Sequence, residues 1–547
     1  MKKQTLLLFV FLSIFSIQSF SQEQKKPKLV VGIVVDQMCY DYLYRFYDKF
    51  SSEGFKKIMN YGTNCRNTQY NYIPTFTGPG HASIYTGTTP SNHGIVANEW
   101  YDRKTKHEKN CVGDSLYTTI GSTSKNGACS PQNLKAITIT DQLKLTYPNS
   151  KVVSLSIKNR GAILPGGHKS DGSYWYDPST CDFITSNYYQ KELQKWRQKF
   201  TEKKSVLTYM NQPWNTLYPI ENYTESNSDN SPYEELIFDN TTPTFPYTFN
   251  HLVDSKKIKA FIATPFANTH LLNASLEAIT GEQLGKHATP DFLCISFSST
   301  DILGHAYGPQ SIEIEDMYLR LDVEIARLLT FLEKEIGKNE FTLFLTADHA
   351  VVPVPQLLVD QRLPGGYFFL EKPLKTLRDS CTRKFGFDCI LDVTNNNIYL
   401  DKQKLKLKDI NTSLVQNYIK EQLKSWSNIK NTYTGDELEN SEHADYWKNL
   451  IKNGYMKEES GDVIFMLDAG YLPYQKDTEK NRQGTSHGSG YSYDTHVPLL
   501  WYGKNIPTQE VFRKIEITDI AATLTHLLNL AKPSLTTGEP ILEILNK

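Results

Sequence analysis

No Cys-x-x-Cys pair occurs in the 547 residues, although eight cysteines are present. A cysteine-built zinc knuckle is thereby disfavoured. Neither sign of charge is in excess: lysine and arginine number 59 against 60 aspartates and glutamates, a formal net charge of -1. Nothing in that balance suggests a polyanionic partner, so nucleic acid is not expected. No internal repeat and no β-rich periodicity are visible, which argues against a surface adhesion module. Beyond the N-terminal stretch no long apolar run occurs. The length is too great for one simple core and predicts a large domain with insertions, or two domains.

The N-terminus differs from the rest. Lys2 and Lys3 precede the apolar run "TLLLFVFLSIFSI", which is followed by small residues at Ser19 and Ser21. That is the pattern of a signal peptide over residues 1–21, cut near Ser21/Gln22. The run is too short to span a bilayer comfortably, so no stable membrane insertion is expected after cleavage. The signal has a bacterial look, and the periplasm is the expected compartment. No cysteine follows the run, which disfavours a lipid anchor there. An exported chain can oxidise its cysteines, and Cys381 and Cys389 are close enough to close a small loop.

Four apolar runs end in polar, chemically competent residues. "KLVVGIVVDQ" ends at Asp36, "KVVSLSIKNR" at Lys158 and Arg160, "PDFLCISFSSTD" at Asp301, and "FTLFLTADH" at Asp348 and His349. Continuous runs of this kind predict parallel strands buried on both faces. Helical patterns lie between them, at about 43–60, 79–87, 137–146, 311–336 and 517–530, the last with Thr518 as its N-cap. The expected fold is α/β, a mostly parallel central sheet flanked by helices, forming one catalytic domain over 22–547. Residues 161–285 and 352–460 break the rhythm and read as two large insertions forming a rim over the site. Ligands of such sheets bind beyond the carboxyl ends of the strands, where the polar residues lie.

Asp36, Asp301, His305, Asp348, His349 and His487 are three aspartates and three histidines on turn-like segments. Mixed oxygen and nitrogen donors of that number suit two divalent transition ions. Each residue alone reads more readily as a cap or a structural histidine. Thr77, in "PTFTGPGH", changes the weighing. It stands just ahead of a helical pattern, where free N–H groups favour an anion. A threonine alkoxide needs strong cationic stabilisation, which a metal pair supplies.

"DQ" after the first strand, "PTFTGPGH", "HGIVANEW", "DILGH", "TADH" and "SHG", in that order, closely resemble the alkaline phosphatase superfamily on its nucleotide pyrophosphatase/phosphodiesterase branch. "SIKNRGAILPGG" is similar to the phosphate-irrepressible, PafA-type alkaline phosphatases. The resemblance covers essentially the whole mature chain. It implies an alkaline phosphatase-like fold and a monomer acting on phosphate monoesters of broad range. It further implies two Zn²⁺ ions, one on Asp36, Asp348, His349 and the nucleophile Thr77, the other on Asp301, His305 and His487. Asn98, Lys158 and Arg160 match residues that bind the phosphoryl oxygens. A phosphothreonine would form and be hydrolysed to release phosphate.

Charge counting agrees with a monoester. Two divalent cations are balanced by three aspartates and the alkoxide. Lys158 and Arg160 then leave two positive charges, which match a monoester dianion better than a diester monoanion. A phosphodiesterase or nucleotide pyrophosphatase on the same fold is the alternative. A sulfatase is disfavoured, since "TGPGH" is not a C/S-x-P-x-R motif. His93 and His496 read as fold positions, and the roles of His81 and His168 stay open.

Overall fold

The computed structural model describes residues 25–201, 206–440 and 445–545. The expected signal peptide lies outside the described residues. A ten-stranded sheet runs through the centre. Its middle is built from Leu29–Val35 (β1), Val152–Ser156 (β2), Gly172–Asp177 (β3), Asp291–Phe297 (β4), Phe341–Thr346 (β5) and Leu499–Gly503 (β6). They lie in the order β6-β5-β1-β4-β2-β3. All neighbours in that order are parallel except β6, which runs antiparallel to β5. Every residue of β1, β2, β4 and β5 is buried. That is why these segments read as unbroken apolar runs: helices cover both faces, and neither face needs polar residues.

Register brings the strand ends level. Val35 of β1 stands opposite Phe297 of β4, Val34 opposite Thr346 of β5, and Ser296 of β4 opposite Ser156 of β2. The residues that follow therefore emerge along one edge. Four helices carry the argument: Thr77–Thr86 (α1), Asn159–Gly166 (α2), Ser299–Tyr307 (α3) and Ile312–Glu335 (α4). Ser311 caps α4 by accepting from the Ile314 N–H. Ile139–Thr146 is a further helix, opened by a capping box between Thr138 and Asp141.

Three expectations are corrected. The segment 43–60 is not one helix but Tyr42–Arg45, a 3₁₀ turn at Tyr47–Lys49, and Phe55–Tyr61. Asp322 of α4 breaks it, accepting from the Ser51 and Phe55 N–H groups at 2.7 and 2.6 Å. Thr518 stands at the N-cap of Asp519–Leu528, but its side chain makes no capping bond. Cys381 and Cys389 lie in the same apolar core of the second insertion as free thiols, and no disulfide joins them.

The stretch 161–285 is shared between core and rim. Its first part supplies β3, which pairs with β2, and Asp182–Ser186, antiparallel to β3. The stretch 352–460 builds a separate layer with the strand that follows it. Ile390–Thr394, Asn397–Leu400, Ile429–Thr434 and Val463–Leu467 form a four-stranded antiparallel sheet over its own apolar core. Asn395 and Asn396 both take positive φ at the hairpin tip. There Asn395 Nδ2 donates to the Glu99 carbonyl at 2.7 Å, tying the insertion to the loop that carries Asn98.

Candidate active site

Asp36 leaves β1 with its N–H still paired to the Phe297 carbonyl at 3.0 Å. Gln37 then turns the chain sharply at φ +67°. The α3 helix starts directly after β4, which puts Asp301 in its first turn and His305 one turn on. Asp348 and His349 follow β5 in a loop. The α1 helix packs against that loop so closely that a Cβ at Gly80 would lie 2.3 Å from the Asp348 carbonyl oxygen. Thr77 is the first residue of α1, after the extended Phe76, and is 1% exposed.

The six donors gather into two groups, Asp36 with Asp348 and His349, and Asp301 with His305 and His487; within each, donor atoms lie within 4.8 Å of one another. His349 Nε2 is 3.5 Å from Asp36 Oδ1 and 3.7 Å from Asp348 Oδ2. His305 Nε2 and His487 Nε2 are 3.1 and 3.6 Å from Asp301 Oδ1. The groups adjoin, since the rings of His349 and His487 stack at 3.4 Å. Thr77 Oγ1 lies 3.5 Å from His349 Nε2.

Whether these residues fit metal ions can be judged from their own bonding. Each histidine holds Nδ1 against a backbone carbonyl: His349 on Ala350 at 3.0 Å, His305 on Thr485 at 2.8 Å, and His487 on Thr75 at 2.7 Å. In the neutral ring that bond sets the tautomer and leaves Nε2 facing the cluster as the donor atom. Asp36 Oδ1 and Asp348 Oδ2 are fully buried and have no hydrogen-bond donor. Buried carboxylate oxygens without a donor are costly unless a cation meets them. The donor set fits.

The electrostatics follow from burial. Desolvation pushes the Asp36 carboxyl up to about 6, the Asp301 charge adding to it and Lys158 opposing. Burial and the Asp36 charge hold Asp348 well above the usual range. At Asp301 burial is overcome by His305, Lys158 and His487, and the carboxyl is held well below its ordinary value. Burial lowers His487 to about 3 and takes His349 well below its usual value, leaving both neutral.

Lys158 and Arg160 reach the same edge from the end of β2. Lys158 Nζ bridges the groups, 2.8 Å from Asp36 Oδ2 and 2.5 Å from Asp301 Oδ2. Arg160, in the first turn of α2, makes no salt bridge among the described residues, and its buried Nε has no partner. Asn98 Oδ1 accepts from the Gly78 N–H at 2.7 Å. The side-chain amide is thereby oriented with its N–H₂ free to donate. All ten residues singled out in the sequence therefore meet at one edge.

Three supporting residues had no role assigned from sequence. Gln37 donates from Nε2 to Asp301 Oδ1 at 2.7 Å and from its N–H to Asp348 Oδ1 at 3.2 Å, linking both groups. The "DQ" pair was its only signal. Asp494 accepts from the Gly488 and Ser489 N–H groups and the Ser489 hydroxyl, fixing the loop of His487. His81, left open above, bonds the Thr77 carbonyl through Nδ1 at 2.9 Å and Ser296 Oγ through Nε2 at 2.8 Å. It ties the first turn of α1 to β4. His168 contacts Asp141 and the Leu134 carbonyl and belongs to the fold.

A buried hydroxyl at a helix start, flanked by two cation-fitted donor groups and the cationic side chains of Lys158 and Arg160, defines a hydrolase of phosphoric esters. The family model for type I phosphodiesterase / nucleotide pyrophosphatase matches residues 30–490. Alkaline phosphatase PafA of Elizabethkingia meningoseptica is 40% identical over 526 residues, 95% of each chain. Alkaline phosphatase PhoV of Synechococcus elongatus is 39% identical, covering 96% of this chain and 94% of that one. The crystal structure of PafA superposes with a TM-score of 0.89 at 40% identity, over 95% of this chain and 99% of that one. The chain belongs to the type I phosphodiesterase / nucleotide pyrophosphatase family and, within it, to the PafA-like alkaline phosphatases.

Proposed function

We propose that the protein is an exported, zinc-dependent alkaline phosphatase that hydrolyses phosphate monoesters through a phosphothreonine. The observation that carries this reading is the Thr77 hydroxyl lying beside paired donor groups whose buried oxygens lack donors. Asp36, Asp348, His349 and Thr77 would hold one ion, and Asp301, His305 and His487 the other. Three histidines and three aspartates suit zinc over magnesium or calcium. Bound there, the ions supply the positive charge that makes a threonine hydroxyl acidic and steadies the departing oxygen.

The chain's own residues do the rest. Thr77 Oγ1 attacks phosphorus, the P–O bond to the leaving group breaks, and the alcohol departs with a proton from solvent. Water then displaces the threonine, and phosphate leaves. Asn98 donates to one equatorial oxygen, its amide already aimed by Gly78. Arg160 can grip two oxygens at once, which a lysine cannot. Lys158 adds the second charge. Phosphoryl transfer is catalysed mainly by such positioning and charge, since most negative charge lies on the equatorial oxygens.

The diesterase reading shares the fold. Two free cations at a site already neutralised by its ions favour the doubly charged ester. With purified metal-loaded protein, Thr77→Ala is expected to abolish the acid-trapped phosphoenzyme and to cut turnover by several orders of magnitude. The double variant Lys158→Ala/Arg160→Ala is expected to lose about 10³-fold or more on monoesters and far less on diesters. Normal turnover by Thr77→Ala, or equal losses on both ester classes, would refute the assignment.

A further inference from the structure

A crevice of about 450 Å³ opens beside the site, between the core and the second insertion. Its core wall begins with Phe76, Ala97 and His487. Phe76 precedes Thr77, Ala97 precedes Asn98, and His487 belongs to the donor group opposite the nucleophile. In-line displacement places the leaving group opposite Thr77 Oγ1, toward that group. The crevice therefore begins where the leaving group must go.

Its chemistry is one-sided. Phe76, Tyr471, Tyr474 and Tyr491 are partly exposed aromatic side chains in its walls, and no lysine or arginine lines it among the described residues. Among the described residues the only carboxylates lining it are Asp468 and Asp494, and Asp494 is already bonded to the His487 loop. Its remaining polar groups, Asn395, Asn396 and Gln475 among them, are uncharged, and a volume of this size is typical of a small-molecule site. The tether from Asn395 to Glu99 holds the insertion wall against the loop of Asn98. A second crevice, of about 460 Å³, touches His305 instead, and it carries Lys256 and Lys259 together with Glu235 and Asp239, Lys256 being paired with Asp239.

Resting on the phosphomonoesterase reading above, we infer that the aromatic crevice is a leaving-group subsite for uncharged, planar aryl groups, which makes aryl phosphates a preferred substrate class.

The test compares kcat/KM for phenyl phosphate, 2-naphthyl phosphate and 4-carboxymethylphenyl phosphate. The first two leaving groups differ little in basicity. The naphthyl ester is expected to exceed phenyl by about tenfold, from the extra apolar surface buried. The carboxymethyl ester is expected to fall below phenyl. Val393→Trp, which fills the crevice from the insertion wall, is expected to bring the naphthyl-to-phenyl ratio back to about one. Gln475→Lys, at an exposed position on the rim, adds a cation. It is expected to raise the carboxymethyl-to-phenyl ratio about threefold and serves if Val393→Trp does not fold. Binding of 2-naphthyl phosphonate to the Thr77→Ala protein by calorimetry gives a readout apart from turnover, and it should weaken with crevice filling. Equal rates for phenyl and naphthyl esters, unmoved by either variant, would overturn the inference while leaving the phosphatase standing. A carboxymethyl ester faster than phenyl would likewise overturn it. Failure to turn over any of the three would instead refute the parent reading.

Discussion

Gly304 stands one position before His305, and a Cβ there would lie 2.0 Å from Gln37 Oε1. The glycine leaves room for Gln37, and Gln37 in turn holds Asp301 and Asp348 in place. Residues that orient metal ligands typically matter by one to two orders of magnitude in affinity. Gly304→Ala is therefore expected to weaken metal retention by about 10–100-fold, read by competition with a chelator of known strength. Gln37→Ala removes the side-chain bond to Asp301 without a clash, leaving the backbone bond to Asp348, and should give a similar loss. If Gly304→Ala lost metal while Gln37→Ala kept it, the effect would belong to helix packing and not to the glutamine.

At the level of elements, β1, β2, β4 and β5 were readable because burial on both faces leaves no polar position to interrupt the run. The "GSYWYD" of β3 was missed because tyrosine and tryptophan there resemble rim packing. The helix over 43–60 was over-read because the group that breaks it, Asp322, is far off in sequence. The donor types at the site could be read from strand ends. Their orienting partners could not, since the carbonyls of Thr75, Ala350 and Thr485 carry no signature of residue type. Glu313, in the first turn of α4, is another feature visible only in the fold. Burial, with nearby Asp229 and Asp316 adding to it, raises its carboxyl to about 8, and burial beside Glu313 takes Glu234 to about 10. Between the ordinary carboxyl value and these raised ones, the folded chain keeps protons that the unfolded chain has released. Stability is then fullest at the acid end of that window and falls as pH rises through it. Glu313→Gln keeps an acceptor for the Tyr247 hydroxyl, which bonds Glu313 at 2.6 Å, and cannot ionise. The variant is expected to melt at about the wild-type temperature near pH 4.5, the ordinary carboxyl value, and several degrees higher near pH 9, in melts run across that range. Parallel melting curves at both pH values would show that Glu313 does not titrate there.

Seen as one molecule, the sheet concentrates negative charge at a single edge. Strands β1 and β5 and the α3 helix after β4 deliver Asp36, Asp348 and Asp301 to it, and all three are buried. Like charges so placed would force the strand ends apart unless something neutralises them. On the proposed function bound cations would do this, and Lys158 does it from the end of β2, where its Nζ bridges Asp36 and Asp301. The same lysine would then have two uses, as an internal counter-ion without metal and as a phosphoryl ligand with it. Removing one partner of a buried ion pair typically costs about 3–5 kcal/mol, because the other charge is left alone. For a chain of this size that corresponds to roughly 3–5 °C in melting temperature. Chelation is expected to lower the melting temperature of the wild type, and Lys158→Ala to lower that of the chelated protein by about this further amount. The metal-loaded forms of the two should melt within about a degree or two of each other, since the ions carry the neutralising charge there. Calorimetry on the four samples tests the coupling. If Lys158→Ala shifted loaded and chelated proteins equally, the lysine would be an ordinary structural ion-pair partner, and its exchange between carboxylate and phosphate would have to be abandoned.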